Sequence, residues 1–169
     1  MAINPLKVLF VASEVEGLVK TGGLADVAKA LPQHLARAGH DVRIILPFYQ
    51  TLKRRDEARL LASRWLPTPQ GRDDISYRIY QLELDGICVY LLDCPAYFER
   101  PQLYAENNQA YPDNGERFAF LAAAALHACE QLNFAPDIVH CNDWHTGLLP
   151  LLPKTRHAHN PSFQRTRSV

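Results

Sequence analysis

Residues 6–12 of the segment "LKVLFVASE" are almost continuously apolar, the pattern of a strand covered on both faces in the middle of a parallel sheet. From Leu24 onward the apolar positions Val27, Ala28, Leu31, Leu35 and Ala38 recur at helical spacing, and Gly39 stands where that helix should end. "DVRIILPF" then predicts a second buried strand, so the first 47 residues read as a right-handed βαβ unit. The polar and basic segment from Tyr49 to Glu57 reads as a short exposed helix or loop. In "SYRIYQLELDGICVYLLDCP" two β-rich runs flank Asp85-Gly86, which predicts a hairpin and hence an antiparallel excursion. Residues 95–113 hold three prolines and no sustained period, and predict a long ordered loop. Phe118, Leu121, Ala122, Ala125, Ala128, Cys129 and Leu132 share one helical face. "PDIVHCND" predicts another short strand, and "WHTGLLPLL" a turn into a further helix. Together these give one domain over residues 1–169. Its architecture is an open, doubly wound, Rossmann-like α/β sheet, mostly parallel, with a β-hairpin excursion.

Composition narrows the function classes. Eighteen basic side chains face 18 acidic ones, so no field marks a nucleic acid or a membrane as the partner. The N-terminal apolar run is too short for a membrane span and lacks the layout of a secretion signal. The four cysteines, Cys88, Cys94, Cys129 and Cys141, form no CxxC pair. They read as free thiols in a reducing cytoplasm rather than as a zinc site or a redox dithiol. His157 and His159 form an HxH without a second ligand cluster, so no metal is expected.

In a doubly wound sheet, ligands bind outside the carboxyl ends of the strands. Two stretches fall there. After the first strand comes "KTGGLADV", in which Gly22 and Gly23 would let backbone amides approach an anion at the start of a helix, with Lys20 as a mobile cation. The competing reading is a glycine-rich turn with an exposed lysine, and Asp26 then simply favours the positive end of the helix. Neither GxGxxG nor GxxxxGK[ST] occurs, which disfavours nicotinamide dehydrogenases and P-loop NTPases. The second stretch, "HCNDWHTG", presents Asp143 and His145 around Trp144, a carboxylate, an imidazole and a flat apolar face suited to a sugar. Asp143 can equally serve as a helix cap, and His140 as a core histidine.

Three features in this order carry a resemblance. They are Lys20-Thr21-Gly22-Gly23 behind a strand ending in Ser13-Glu14, Asp113-Asn114 with Arg117-Phe118, and Asp143-Trp144-His145-Thr146-Gly147 behind "PDIVH". Together they resemble the N-terminal domain of the bacterial glycogen synthase and plant starch synthase family. The resemblance implies a retaining glucosyltransferase of the two-Rossmann-domain type, with ADP-glucose as donor, an α-1,4-glucan as acceptor, and no cofactor or metal. It assigns Lys20, Thr21, Gly22, Gly23, Asp26 and Tyr104 to substrate binding, and Asp143 and His145 to the catalytic centre. It further implies that a C-terminal domain is missing here, and that residues 153–169 lead as a loop into a strand beginning at Val169. A stand-alone carbohydrate-binding or regulatory module is the alternative. Many members of the family carry a proline near Gly17, which leaves the shape of the loop before Lys20 open.

Overall fold

The computed structural model describes residues 4–69, 71 and 73–169. In chain order the elements are β1 (Lys7–Val11), α1 (Leu24–Arg37), β2 (Asp41–Pro47), β3 (Arg59–Pro67), β4 (Asp74–Leu84), β5 (Ile87–Asp93), α2 (Pro95–Phe98), β6 (Ala105–Glu106), β7 (Gln109–Ala110), α3 (Asn114–Gln131), β8 (Ile138–Cys141) and β9 (Arg167–Ser168). Seven strands form one sheet in the order β3-β4-β5-β2-β1-β8-β9, while β6 and β7 form a separate two-stranded ribbon.

The apolar run of β1 lies where such a run belongs. It pairs in parallel with β2 on one side and β8 on the other, and Leu9, Phe10 and Val11 are fully buried. β2 continues in parallel to β5. The chain therefore winds outward from β1 in both directions, and the reversal of strand order falls between β1 and β8. That switch point opens a crevice at the carboxyl ends of the two strands. Asn142 closes the strands' ends together, donating from its amide to the carbonyls of Val11 (2.9 Å) and His140 (3.2 Å).

The Asp85-Gly86 hairpin forms as expected. Leu84 faces Ile87 across a two-residue turn, and both turn residues take positive φ, 50° and 82°, as a type I′ turn demands.

Four expectations need correction. The segment from Tyr49 to Glu57 is mostly exposed and carries a single 3-10 turn at Arg55–Glu57, but it is not exposed throughout, since Tyr49 and Leu52 turn into the core. An unforeseen strand, β3, pairs antiparallel with β4 at the sheet edge; a bulge between Leu60 and Ala62 shifts the phase of its alternation and hides it from a period-2 reading. No further helix follows Trp144. Two 3-10 turns stand there instead, at Trp144–Thr146 and Leu152–Lys154, because Pro150 and Pro153 withhold the donors a regular helix needs. The tail is more than a loop, since Arg167–Ser168 already pairs in parallel with Ile138–Val139 and Glu130 accepts from His157 (3.0 Å) and from Asn160.

Candidate active site

Glu14, three residues past the end of β1 after the buried Ala12 and Ser13, is itself buried. A carboxylate there must be paired or hydrogen-bonded to be tolerated. Its partners come from two distant parts of the chain. The backbone N–H groups of Thr21 and Gly22 (3.2 Å for Gly22) and the Thr21 hydroxyl (2.6 Å) donate to it from the "KTGG" loop, and the Tyr104 hydroxyl donates from the long loop (2.6 Å). Burial pushes the Glu14 carboxyl up, but the bonds from Thr21, Tyr104 and Gly22 together outweigh it and hold the pKa below the usual value.

The loop itself begins with a turn at Gly17. Val15 and Val19 exchange both backbone hydrogen bonds, and Gly17 between them takes a φ of +93°. That conformation is closed to proline, so at this residue the loop keeps a shape of its own. Lys20 is exposed and its ammonium is paired with Asp26 (2.6 Å) and Glu16 (2.9 Å). The hydrogen bonds it donates to Asp26 and then to Glu16 raise its pKa, so it stays charged at any physiological pH. Asp26 is therefore the partner of Lys20 as well as a first-turn acid of α1.

The expected phosphate cradle is revised in one respect: the Thr21 and Gly22 amides point inward at Glu14. What remains open is the outer side of the two glycines. Among the described residues an added Cβ would meet nothing within 4 Å at either Gly22 or Gly23, and Gly23 caps α1 with ordinary right-handed angles, φ −71° and ψ −16°. Neither glycine is demanded by internal packing or by the turn. A cleft of about 420 Å³ runs beside the loop, lined among others by Glu16, Lys20, Thr21, Lys53 and Gln102.

Across the switch point, Asp143 sits in the turn after β8 with φ 63° and ψ −179°, a region that essentially only glycine occupies without strain. Its side chain accepts from the Trp144 backbone N–H (2.6 Å), so the capping reading holds for a 3-10 turn, and the residue is exposed. His145 next to it is buried. Its ring stacks on Trp144 (4.0 Å between centroids) and packs against Tyr104 (4.5 Å) and Phe118 (4.7 Å). Burial in this aromatic box pushes the His145 pKa down to about 4, so the imidazole is neutral at physiological pH and offers one donor and one acceptor. Neither ring nitrogen has a partner among the described residues, an unmet demand that a bound hydroxyl group would satisfy. Beside the box lies a hollow of about 290 Å³ between Asn114, Gly115, Trp144 and Leu148. His140, by contrast, stacks on Phe10 (4.6 Å) within the sheet and does not reach this group.

Tyr104 joins the two stretches: its hydroxyl meets Glu14 and Ser13 (2.7 Å to Ser13) while its ring lies on His145. It is positioned by α3, whose Asn114 amide donates to the Tyr104 carbonyl (2.8 Å). Beneath it the buried Arg117 guanidinium donates to the carbonyls of Tyr97 (2.7 Å) and Leu103 (2.9 Å) and to Asn114 Oδ1 (2.7 Å). Glu14 is the candidate site residue that the sequence reasoning missed. The available signal was an acid directly behind a buried strand, where an unpartnered charge is not tolerated. Among the described residues no three His, Cys, Asp or Glu side chains gather as metal ligands, and no helix is long and apolar enough to cross a membrane.

The fold is that of a Rossmann-like domain, with an open glycine loop, a cation and an aromatic box with polar tips gathered at its switch point, a set of groups suited to a phosphate and a sugar. The chain belongs to the family described as the starch synthase catalytic domain, whose pattern matches residues 7–169. It is 84% identical to the glycogen synthase of Aeromonas salmonicida over all 169 residues, which is 35% of that protein, and 57% identical to that of Photobacterium profundum over 98% of the chain and 33% of the relative. The chain thus spans about a third of the length of the curated relatives it matches. Among solved structures it superposes on the catalytic domain of starch synthase IV from Arabidopsis thaliana, described as bound to ADP and acarbose. The TM-score is 0.86 at 29% identity, covering 98% of this chain and 33% of that one.

Proposed function

We propose that this chain is the N-terminal domain of an ADP-glucose-dependent α-glucan synthase. It supplies one wall of a cleft in which glucose passes, with retention, to the 4-hydroxyl at the non-reducing end of an α-1,4-glucan, and a second domain supplies the other wall and most of the nucleotide site. The observation that carries this reading is the joining of the "KTGG" loop to the aromatic box through Tyr104, which sets a phosphate-facing loop and a sugar-facing imidazole side by side at the switch point. The family membership and the ADP and acarbose of the plant structure support the donor and the glucan class. In this reading Lys20 and the open side of Gly22 and Gly23 stabilise charge developing on the departing diphosphate. His145 and Asp143 hold the transferred glucose, and the ionic chemistry needs no metal.

The test joins this chain to the C-terminal two thirds of the Aeromonas salmonicida relative and measures labelled glucose passing from ADP-glucose to glycogen. The fusion is expected to be active and the 169-residue chain alone inactive, because both walls are needed to orient the reactants. A folded fusion that binds maltooligosaccharides without turnover would instead make the chain a carbohydrate-binding module. Incorporation by the chain alone, abolished by Lys20→Ala, would remove the need for a second wall.

Gly23→Ala in the fusion separates binding surface from packing. A methyl group at Gly23 meets no atom of the described residues within 4 Å and no forbidden φ, so the melting temperature should move by no more than a degree or two. The same methyl stands in the space offered to the donor, and glucosyl transfer should fall at least tenfold, about 1.4 kcal/mol of transition-state stabilisation. Normal turnover in that variant would locate the phosphate contact elsewhere.

A further inference from the structure

We infer that Glu14 is a positioning residue that fixes the Lys20–Gly23 loop and Tyr104 as one unit, by accepting hydrogen bonds from both. The inference rests on the reading of the cleft as a glucosyl-transfer site and adds to it the element that holds the cleft's two sides in register.

The donors and acceptors around Glu14 determine the direction of every bond. The Thr21 and Gly22 amides can only donate, and they converge on Oε2; the hydroxyls of Thr21 and Tyr104 converge on Oε1. An ionised carboxylate is acceptor-only, so all four partners donate. Tyr104 then spends its single proton on Glu14, and Ser13 Oγ, 2.7 Å away, must donate to the Tyr104 oxygen. The result is a one-way chain from Ser13 through Tyr104 to Glu14. It ties the end of β1 to the long loop and the long loop to the start of α1.

This arrangement has a consequence for what the loop can offer outward. With the Thr21 and Gly22 amides committed to Glu14, the loop cannot wrap an anion with successive amides. It is held instead as a rigid ledge, with the unobstructed side of Gly22 and Gly23 outward and Lys20 at its edge. Tyr104 is fixed from its hydroxyl end by Glu14 and from its carbonyl by Asn114, so the ring against His145 cannot shift without breaking one of these bonds. The position of the imidazole and that of the glycine ledge are thereby made dependent on a single carboxylate.

Glutamine and alanine at position 14 separate this role from a need for charge. In Glu14→Gln the remaining oxygen can face the two amides. The NH₂ then turns to the hydroxyls of Thr21 and Tyr104, which become acceptors, and Tyr104 passes its proton to Ser13. Every bond survives with the chain reversed. In Glu14→Ala none survives.

Two measurements decide the matter. In the 169-residue chain, amide hydrogen exchange of Thr21 and Gly22 should be slow in the unaltered protein and in Glu14→Gln, and at least tenfold faster in Glu14→Ala. In the fusion enzyme, Glu14→Ala should lower kcat/KM for ADP-glucose at least twentyfold with the KM for maltoheptaose changed less than twofold, Glu14→Gln should stay within fivefold of the unaltered enzyme, and Tyr104→Phe should cost about fivefold. The double variant Glu14→Ala/Tyr104→Phe should be no worse than Glu14→Ala alone, because the hydroxyl acts through the carboxylate. Unprotected Thr21 and Gly22 amides in the unaltered chain, strictly multiplying losses in the double variant, or a glutamine variant as damaged as the alanine one would each overturn the inference. An inactive unaltered fusion would overturn the glucosyl-transfer reading instead, and the exchange data would still decide whether Glu14 anchors the loop.

Discussion

Arg117→Ala is expected to lower the stability of the folded chain by about 3–5 kcal/mol, the range for deleting a large buried side chain and stranding its partners. Arg117 is fully buried, and its guanidinium fills the space between the faces of Phe98, Tyr111 and Phe118, with centroids 5.0 to 5.6 Å from Cζ. Truncation removes three hydrogen bonds at once and leaves the Tyr97 and Leu103 carbonyls without their donor. One term opposes the loss. A buried cation carries a desolvation penalty, visible in the lowered pKa of Arg117 that burial causes, and deleting the charge returns that penalty. Arg117→Met, which keeps most of the volume and sheds the charge, should therefore cost only about 1–2 kcal/mol, mainly for the two stranded carbonyls. For a chain of this size the alanine variant should melt roughly 10 °C lower. Calorimetry of the two variants checks this; an alanine variant as stable as the methionine one would mean that the cavity collapses and the carbonyls find water.

The same residue explains why an apolar pattern could locate the long loop but not its shape. Residues 95–113 have no period because their conformation is dictated from outside, by Arg117 reaching across to Tyr97 and Leu103 and by Arg100 paired with Asp113 (2.5 Å). Such long-range side-chain to backbone bonds leave no local signature. Where local signals and burial agree the sequence is explicit: β1, β2 and β5 are apolar runs because both faces are covered, and Asp85-Gly86 announces its turn by its need for positive φ. β3 fails both tests, with its phase broken by the bulge and with Leu60 and Trp65 exposed. The site divides along the same line. Lys20, Gly22, Gly23, Asp143 and His145 stand in loops directly behind strands, where the topology directs attention. Glu14 owes its role to Thr21, seven residues on, and Tyr104, 90 residues on, and only folding brings those together.

Asp143→Gly is expected to make the protein more stable while removing the activity proposed for it. The φ and ψ of Asp143, 63° and −179°, lie in a region that costs a residue with a side chain about 1–3 kcal/mol. Glycine enters that region freely, but loses the cap to Trp144 N–H, where Gly is only a few tenths of a kcal/mol inferior. It also adds about 0.5–1 kcal/mol of backbone entropy to be lost on folding. The balance favours glycine by about 1 kcal/mol, or roughly 2–4 °C in melting temperature for a chain of this length. A conformation that glycine would hold at lower cost is filled here by an aspartate beside the aromatic box, which supports the role proposed for its carboxylate. In the fusion enzyme, glucosyl transfer by Asp143→Gly should fall at least a hundredfold, about 2.7 kcal/mol of transition-state stabilisation. Asp143→Asn keeps an oxygen for the Trp144 cap and the same backbone, so its melting temperature should match the unaltered protein while its transfer falls as well. A glycine variant that is less stable would show that the cap outweighs the strain, and one that transfers glucose normally would return Asp143 to the capping role alone.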